Sequence, residues 1–414
     1  MGRLTISVIM AGMLVIAVVA ARGENAVVVG AIYPTGGAQG PGGLEEYRGV
    51  GLAAQYVNRR GGVHGRPIRL RLEPADSADA TPGAIARLEA GITVVVGSYG
   101  STISRPVAEF ARRRGLVFWE TGAVGDLTME AAASDRVFRF VPTGTSLGHA
   151  AVTFIRDQVI PRVANGRMVR YTVVYVDDVY GRSVARGAIT EIQTSGLLLA
   201  AALPYRLPRV DYEHLAGQVA RVRTDVLVVA AYLEDGIALR RAIVRRGVPL
   251  LASIGTSSSY CMPEFGRALG RDAVGLFASD KPDGDVVRLD RLTPEAAEAL
   301  RWAREEYRRS HGSAMPAPAL SGFAGGLALF GHVLPAARDL SPAAVAGAAR
   351  ALRLPVGSLP NGSGLAFPPP EDSQASANLR ATSVIWQWVR PNTRAVVWPA
   401  SYATELLVSR VDRR

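Results

Sequence analysis

Residues 27–76 read VVVGAIYPTGGAQGPGGLEEYRGVGLAAQYVNRRGGVHGRPIRLRLEPAD, and the architecture can be worked out from here. A β-branched run at 27–33 leads through a glycine-rich loop into a segment with helical spacing at 43–60. A second β-branched run follows at 68–73, just before Asp76. Strand, helix and strand in this order predict a βαβ unit, in which the two strands run parallel.

The same alternation continues along most of the chain. Predicted strands lie at 27–33, 68–73, 93–98, 116–120, 137–141, 169–176, 198–204, 226–231, 249–254 and 275–279. Predicted helices lie at 43–60, 80–90, 101–114, 145–160, 180–195, 211–222, 234–246 and 262–269, followed by a largely helical segment at 293–351 and a few strands within 365–399. Ten alternating strands exceed one sheet, and one of them ends near Pro142. We therefore predict an α/β protein with two doubly wound parallel-sheet lobes, whose ligands bind beyond the carboxyl ends of the strands.

The charge is large but evenly spread. The formal net charge is +11, and of the 47 basic residues only Lys281 is a lysine. The arginines occur on all predicted helices with acidic residues between them, so the chain lacks a basic stripe with interleaved aromatic residues. We expect no nucleic-acid binding.

Residues 1–23 have the pattern of a secretory signal peptide. Arg3 precedes an apolar run at 4–19 and a small-residue cleavage site at 19–21. This run is shorter than the ~20 residues that span a bilayer, although an uncleaved N-terminal anchor is the alternative. The later apolar runs at 224–232 and 320–330 are expected to be too short to cross a membrane. We expect a cleaved signal and a periplasmic or extracellular protein.

Enzyme chemistry has little support in the sequence. The glycine-rich loop at 34–43 lacks both the Lys-Ser/Thr ending of a P-loop and the GxGxxG spacing of a dinucleotide turn. The residues Gly144-Thr145-Ser146-Leu147-Gly148 match a hydrolase nucleophile elbow, which leaves a hydrolase as a third possibility. The five histidines are not at metal-ligand spacing. We expect no enzyme activity, no cofactor and no metal.

The single cysteine and the adjacent acids at 45–46 and 305–306 are not expected to form a reactive site. Cys261 is the only cysteine, so no intramolecular disulfide can form, and a buried thiol is favoured over pairing between chains. The adjacent acids Glu45-Glu46 and Glu305-Glu306 are interpreted as solvated helix faces.

A family resemblance rests on Pro34-Thr35-Gly36-Gly37 after the first strand, Asn58 before the Gly61-Gly62-Val63-His64-Gly65-Arg66-Pro67 turn, and Asp76. With these residues the chain resembles the extracytoplasmic solute-binding proteins of branched-chain amino acid and amide ABC transporters, the type I periplasmic binding proteins. The resemblance extends more weakly to 96–101, 177–181, 364–367, 386–388 and 397–399. It implies a clamshell with three crossovers, with lobe 1 at 24–141 plus about 280–362 and lobe 2 at 142–279 plus about 363–414.

The resemblance also implies a ligand site at the strand ends. Ser101 matches the family serine that holds a ligand carboxylate, and it stands with Thr102 at a helix start, where free N–H groups favour anions. The alternative is that Ser101 only caps the helix. Gly122 and Ala123 match residues whose backbone contacts the ligand, although Val124 replaces a frequent threonine.

The second lobe contributes aromatic residues to this predicted site. Tyr180 matches a tyrosine that closes over the ligand, and Tyr232 follows another strand. The predicted ligand-binding residues are therefore Tyr99, Ser101, Thr102, Gly122, Ala123, Tyr180, Tyr232 and Thr256. Aromatic residues near strand ends (Tyr99, Trp119, Tyr180, Tyr232, Tyr260) would suit a ligand larger or flatter than leucine, although each alone is interpreted as a packing residue.

One departure from the family concerns charge. Near Thr256 the amino-acid binders place a carboxylate that pairs with the ligand ammonium, and 255–260 contains no acid. A buried ammonium without a counter-charge is costly. Either another acid substitutes, with Glu120, Glu234 and Asp235 as candidates, or the ligand has no ammonium.

These observations predict the solute-binding component of an ABC importer. It would capture a small amino-acid-like or amide-like solute between its lobes and deliver it to a membrane permease. The alternative from another class is a ligand-sensing regulator or receptor ectodomain on the same fold.

Overall fold

The computed structural model describes residues 26–37, 39–88, 91–125, 135–372 and 374–408. The predicted signal peptide lies outside them. The strands are β1 (Val27–Tyr33), β2 (Ile68–Pro74), β3 (Val94–Gly97), β4 (Val117–Glu120), β5 (Val137–Arg139), β6 (Arg170–Val176), β7 (Leu198–Tyr205), β8 (Val226–Ala230), β9 (Ala252–Thr256), β10 (Phe277–Asp280), β11 (Val384–Arg390) and β12 (Thr393–Trp398).

The helices alternate with these strands as far as β10. They are α1 (Gly40–Asn58), α2 (Thr81–Ala86), α3 (Ser101–Arg114), α4 (Gly144–Phe154), α5 (Ile160–Val163), α6 (Val179–Thr194), α7 (Tyr212–Arg221), α8 (Leu233–Arg245), α9 (Pro263–Leu269), α10 (Pro294–His311), α11 (Ala317–Leu327), α12 (Leu334–Ala336) and α13 (Pro342–Ala351). Two π-helical turns, Ile155–Val159 and Ala328–Val333, continue α4 into α5 and α11 into α12.

Two separate sheets form the centres of the two lobes. The first has the strand order β2-β1-β3-β4-β5, and its neighbouring strands all pair in parallel. The second has the order β12-β11-β10-β9-β8-β6-β7 and is parallel from β10 to β7. Every residue of β3 and of β8 is buried, as expected for parallel strands covered on both faces.

The prediction of two parallel-sheet lobes is confirmed, with an antiparallel addition at one edge. The hairpin β11–β12 joins the second sheet through antiparallel pairing of β11 with β10. The chain passes from the first sheet to the second after β5, returns after β10 and crosses again before β11. These passages are the three crossovers of the predicted clamshell.

Helix α11 packs closely on α1 in the first lobe. A Cβ at Gly322 would collide with the Glu46 carbonyl oxygen, and one at Gly49 would collide with the Ala319 carbonyl oxygen, so glycines permit the contact. Among the described residues, the helical stretch Ala317–Ala336 is long and apolar enough to cross a membrane by length and composition, which corrects the prediction that the run at 320–330 is too short. In this structure 78% of its most apolar window is buried, as in a core helix of a folded lobe.

Phe367 and Asn378 lie against the first lobe, although the predicted division assigns them to lobe 2. Asn378 Nδ2 donates to the Phe140 carbonyl oxygen at 3.2 Å. The Phe367 ring packs against Trp119 and Phe138, with ring centroids 5.7 and 4.9 Å apart. The remaining lobe boundaries stay a prediction.

Candidate functional site

The two lobes meet where their parallel strands end. Gly125, shortly after β4, donates its backbone N–H to Ser101 Oγ at 2.9 Å. A Cβ at Gly125 would lie 2.6 Å from Ser101 Oγ and 3.1 Å from Val179 Cγ1, which belongs to the first turn of α6 in the second lobe. The starts of α3 and α6 are therefore in contact across a glycine. The lobes are closed at this point.

Ser101 is the first residue of α3 and not its cap. The N-cap is Gly100, which has no side chain to accept a hydrogen bond. Ser101 is buried and Thr102 is half-buried. Ser101 Oγ accepts the Gly125 N–H, which leaves its own hydroxyl hydrogen able to donate to another group. The alternative role of Ser101 as a simple N-cap does not fit this geometry.

Tyr99 is held in a left-handed backbone conformation beside the first turn of α1. Its φ is 71°, and a Cβ at Gly42 would collide with its ring. Burial raises the pKa of its phenol, and the neighbouring Cys261 and Glu46 act in the same direction. The Tyr99 ring and hydroxyl therefore lie against the first turn of α1 in the first lobe.

Glu120 organises the exit of β4 and is not free to bind a ligand. Its Oε1 accepts from the backbone N–H groups of Gly122 and Ala123, each at 2.8 Å. Its Oε2 accepts from the Ser98 N–H at 2.9 Å and from the Ser104 hydroxyl. In this closed arrangement the N–H groups of Gly122 and Ala123 thus donate to a protein carboxylate. Burial raises the pKa of Glu120, and the four donors oppose that rise.

The tyrosines of the second lobe form a stacked, hydrogen-bonded pair. Tyr180 is buried, and its hydroxyl lies 2.9 Å from Thr256 Oγ1 and also donates to the Ser257 carbonyl oxygen. Its ring centroid is 5.4 Å from that of Tyr232, whose hydroxyl donates to Asp178 Oδ2 at 2.7 Å. The structure therefore brings Tyr180, Tyr232 and Thr256 together, as the prediction requires.

Two of the five aromatic residues near strand ends are core residues. Trp119 Nε1 donates to the Gly325 carbonyl oxygen at 2.9 Å inside the first lobe. The Tyr260 ring packs 4.5 Å from Phe265 inside the second. Both rings are thus held in contacts within the core of a single lobe.

Glu46 is a site residue that the sequence analysis misses. It was interpreted with Glu45 as part of a solvated face, but it is fully buried. Its Oε1 accepts from Thr121 Oγ1 at 2.7 Å, and its Oε2 has no hydrogen-bond partner. A Cβ at Gly122 would collide with this Oε2, so a larger residue there would displace the Glu46 carboxyl group. Burial and the charge of Glu120 raise the pKa of Glu46 to about 8.

Asp280 and Lys281 complete the site where the chain returns to the first lobe. Lys281, the single lysine, is buried and donates from Nζ to the Gly122 carbonyl oxygen at 3.1 Å. Asp280 is also buried, and its Oδ1 has no partner. Burial and the Asp280 charge raise the pKa of the Cys261 thiol, which is buried as predicted. The position of Asp280 directly after a predicted strand was the signal that could have identified it.

Glu120, Glu234 and Asp235 are not placed to replace the acid that pairs with a ligand ammonium. Glu120 has four donors already, as described above. Asp235 accepts from the Tyr205 hydroxyl, and Glu234 is exposed.

The features that could indicate an enzyme or a metal site are the nucleophile-elbow motif around Ser146 and the side chains able to bind a metal ion. Ser146 is exposed in the first turn of α4 and donates from Oγ to the Thr143 carbonyl oxygen at 2.8 Å, a helix-start role. The nearby His149 pairs with Glu191 at 2.9 Å. Within the described part of the chain, no group of three His, Cys, Asp or Glu side chains is placed to hold a metal ion.

Comparison with known proteins identifies the family of this chain. A sequence profile described as periplasmic binding protein matches residues 26–385. The chain belongs to the periplasmic binding protein family. It is 26% identical over 364 residues to the Leu/Ile/Val-binding protein homolog 8 of Brucella abortus (strain 2308), covering 87% of each protein.

Solved structures have the same fold. The leucine-binding protein LivK of Thermotoga maritima superposes with a TM-score of 0.74 at 15% identity, covering 89% of this chain and 97% of that one. A solute-binding protein of an ABC transporter from R. palustris, in complex with benzoate, gives a TM-score of 0.71 at 15% identity over 92% and 97% of the two chains. This periplasmic binding protein thus has the type I clamshell fold and a solute-binding role. Its family and fold are those of binding proteins and not of enzymes, and they imply a periplasmic location.

Proposed function

We propose that this periplasmic binding protein is the substrate-binding component of an ABC importer. It captures a small amino-acid-like or amide-like solute between its lobes and delivers it to a membrane permease. The observation that supports the proposal is the contact between the lobes at the strand ends, where a Cβ at Gly125 would meet both Ser101 and Val179 and where Lys281 Nζ donates to the Gly122 carbonyl oxygen. The export signal at 1–23 is part of the proposal.

Capture follows from a shift between open and closed forms. The site residues are buried in the closed arrangement, so a solute enters when the lobes separate at the crossovers. A solute that contacts both lobes binds the closed form better, and it shifts the population toward that form by this difference in affinity. The permease can then recognise the closed clamshell.

The names of related proteins support a small organic solute. The Brucella relative is named a Leu/Ile/Val-binding protein homologue, the Thermotoga protein a leucine-binding protein, and the R. palustris protein is in complex with benzoate. We take from these the size range of the solute and not its identity.

A thermal-shift screen tests the proposal. The mature protein would be screened against amino acids, amides, ureas and aromatic acids, because a ligand at 100 times its dissociation constant stabilises by about 2.7 kcal/mol. Ser101→Ala should weaken binding of any hit, while the loss of one hydrogen bond from Gly125 costs the fold about 1 kcal/mol. An unchanged dissociation constant in this variant would remove Ser101 from the site. Uptake of the hit by vesicles that carry the cognate permease and ATPase would separate an importer from a receptor ectodomain.

A further inference from the structure

Two carboxylate oxygens at the lobe junction are buried without a partner. They are Glu46 Oε2 in the first lobe and Asp280 Oδ1 in the second. Both side chains are more than nine-tenths buried. A buried acceptor that has lost water and gained no donor is unfavourable, and such atoms in native proteins call for an explanation. A bound donor group is the explanation that the surroundings favour.

Glu46 and the residue that follows Asp280 both lie against Gly122. Glu46 Oε2 occupies the space that a side chain at Gly122 would need. Lys281, directly after Asp280, contacts the carbonyl oxygen of the same Gly122 at 3.1 Å. The Tyr99 phenol interacts electrostatically with both Glu46 and Asp280. After burial itself, Asp280 is also among the charges that raise the pKa of the Tyr180 phenol in the second lobe.

Among the described residues around Gly122 and Gly125, the buried acids outnumber the cations. The acids are Glu46, Glu120 and Asp280, and the cations are Lys281 and Arg139, which donates to the Gly125 carbonyl oxygen at 3.0 Å. One carboxyl group is left over. A buried charge is tolerated only when it is paired or neutralised, so either a proton or a cationic ligand must supply the missing charge.

The pKa values of Glu46 and Glu120 are both raised, but four donors hold the Glu120 carboxylate, so Glu46 is the group that takes the proton when no ligand is bound. Burial and Glu120 raise its pKa, whereas Lys281 and the hydrogen bond from Thr121 lower it, and the result is about 8. The Tyr33 and Tyr99 phenols, from β1 and from the loop before α3, also face it and stay protonated because burial raises their pKa values. At neutral pH and without solute, the Glu46 carboxyl group is therefore protonated, and a cationic group of the solute can replace this proton.

We propose that Glu46 and Asp280 form a cation subsite, one carboxylate from each lobe, that receives an ammonium or amidinium group of the solute. This inference rests on the proposed function, since it names the chemical class of the solute held between the lobes. The subsite takes the place of the acid that is missing near Thr256. Because its two carboxylates come from different lobes, a cationic group between them also favours closure.

Matched solutes that differ in one group test the subsite. The probes with a cationic group are L-leucine, isopentylamine, L-phenylalanine and benzamidine. Their analogues without it are 2-hydroxy-4-methylpentanoate, 3-phenyllactate, benzamide and benzoate. The remaining amino acids and urea complete the set. Binding is measured by isothermal titration calorimetry on the mature protein. We expect the cationic member of a pair to bind about 10- to 100-fold more tightly than its neutral or anionic partners, the range for hydrogen bonds between charged groups.

Isosteric variants then connect the preference to the two acids. Glu46→Gln and Asp280→Asn should each weaken binding of the cationic probe about 10-fold or more, while Glu45→Gln on the same helix should not, because Glu45 pairs with Arg48 away from the junction. Titrations in two buffers of different ionisation enthalpy should show release of close to one proton per probe near pH 7 in the wild type. Glu46→Gln should release none. If Glu46 had only a structural role, Glu46→Gln would release as many protons per bound probe as the wild type.

The other outcomes each overturn a distinct statement. If neutral or anionic probes bind and the cationic ones do not, the cation subsite is refuted and the solute-binding function stands. If cationic probes bind equally well to Glu46→Gln, Asp280→Asn and Glu45→Gln, these acids are not the subsite. If no probe of any charge binds to the folded protein, the proposed function fails, and the subsite fails with it.

Discussion

Replacing Glu46 by glutamine should make the protein more stable, and increasingly so as the pH rises. Glu46 is fully buried, with one carboxylate oxygen unpaired. Its pKa is about 8 in the folded protein, against 4.5 for an ordinary glutamate. Between these two values the unfolded chain has an ionised Glu46, whereas the folded protein keeps the proton. Folding then takes up a proton, so the free energy of unfolding falls as the pH rises through this window.

The magnitude follows from the width of the window. Each unit of difference in pKa corresponds to about 1.4 kcal/mol, so the wild type loses on the order of 5 kcal/mol between pH 4.5 and pH 8 from this group. Glutamine occupies the same volume and does not titrate. The advantage of Glu46→Gln over the wild type should be small near pH 5 and reach several kcal/mol near pH 8, above which it should level off.

Guanidinium denaturation at a series of pH values measures this difference. Glu45→Gln is the matched control, because Glu45 is on the same helix but only half-buried and pairs with Arg48 at 2.5 Å. The control should follow the wild type at every pH. A stability difference for Glu46→Gln that does not change with pH would refute the assignment of a buried, protonated carboxyl group.

Three further predictions concern the same junction. Gly122→Ala should destabilise the protein by about 1–3 kcal/mol and abolish solute binding, because its methyl group would collide with the Glu46 carboxyl group. Gly51→Ala on α1 is the control, since a Cβ there has no atom within 4 Å, and it should be tolerated. Denaturation and calorimetry measure both variants. Cys261, the only cysteine, should react slowly with a maleimide in the native protein, because the thiol is buried and its pKa is raised. Solute binding should slow this labelling further, which mass spectrometry would follow. Faster labelling in the presence of solute would contradict closure of the lobes. A double-mutant cycle of Tyr180→Phe and Thr256→Val should give a coupling energy of about 1 kcal/mol in denaturation, and additive effects would show that their 2.9 Å contact does not contribute.

Stability and binding oppose each other at Glu46. The proposed cation subsite needs a carboxyl group in a place where it destabilises the free protein at neutral pH. A cationic solute removes this cost when it displaces the proton. The same group therefore links solute affinity to pH, and affinity should rise from about pH 6 to about pH 8 as the proton becomes easier to remove.

The local sequence determined the elements and their ends. Period-two and period-3.6 patterns predicted the ten strands from β1 to β10 within a few residues, because these patterns follow from which face of each element is buried. Since parallel strands end at one edge of a sheet, the sequence also indicated that Ser101, Gly122, Tyr180 and Thr256 follow strands at the lobe junction. Their position after strands follows from chain order and from the alternation of strand and helix, whereas their role in a ligand site is what the family resemblance implies.

Only the tertiary structure decided which side chains are paired and which are not. Glu120 was a candidate for a ligand contact, but it is taken by four donors that come from Ser98, Ser104, Gly122 and Ala123. Glu46 was interpreted as solvated, but α11, more than 270 residues further along the chain, covers its helix and leaves it buried. Helical spacing shows which residues share a face and not what packs on that face. The burial and partners of a carboxyl group depend on contacts between distant segments, and no local pattern in the sequence records them.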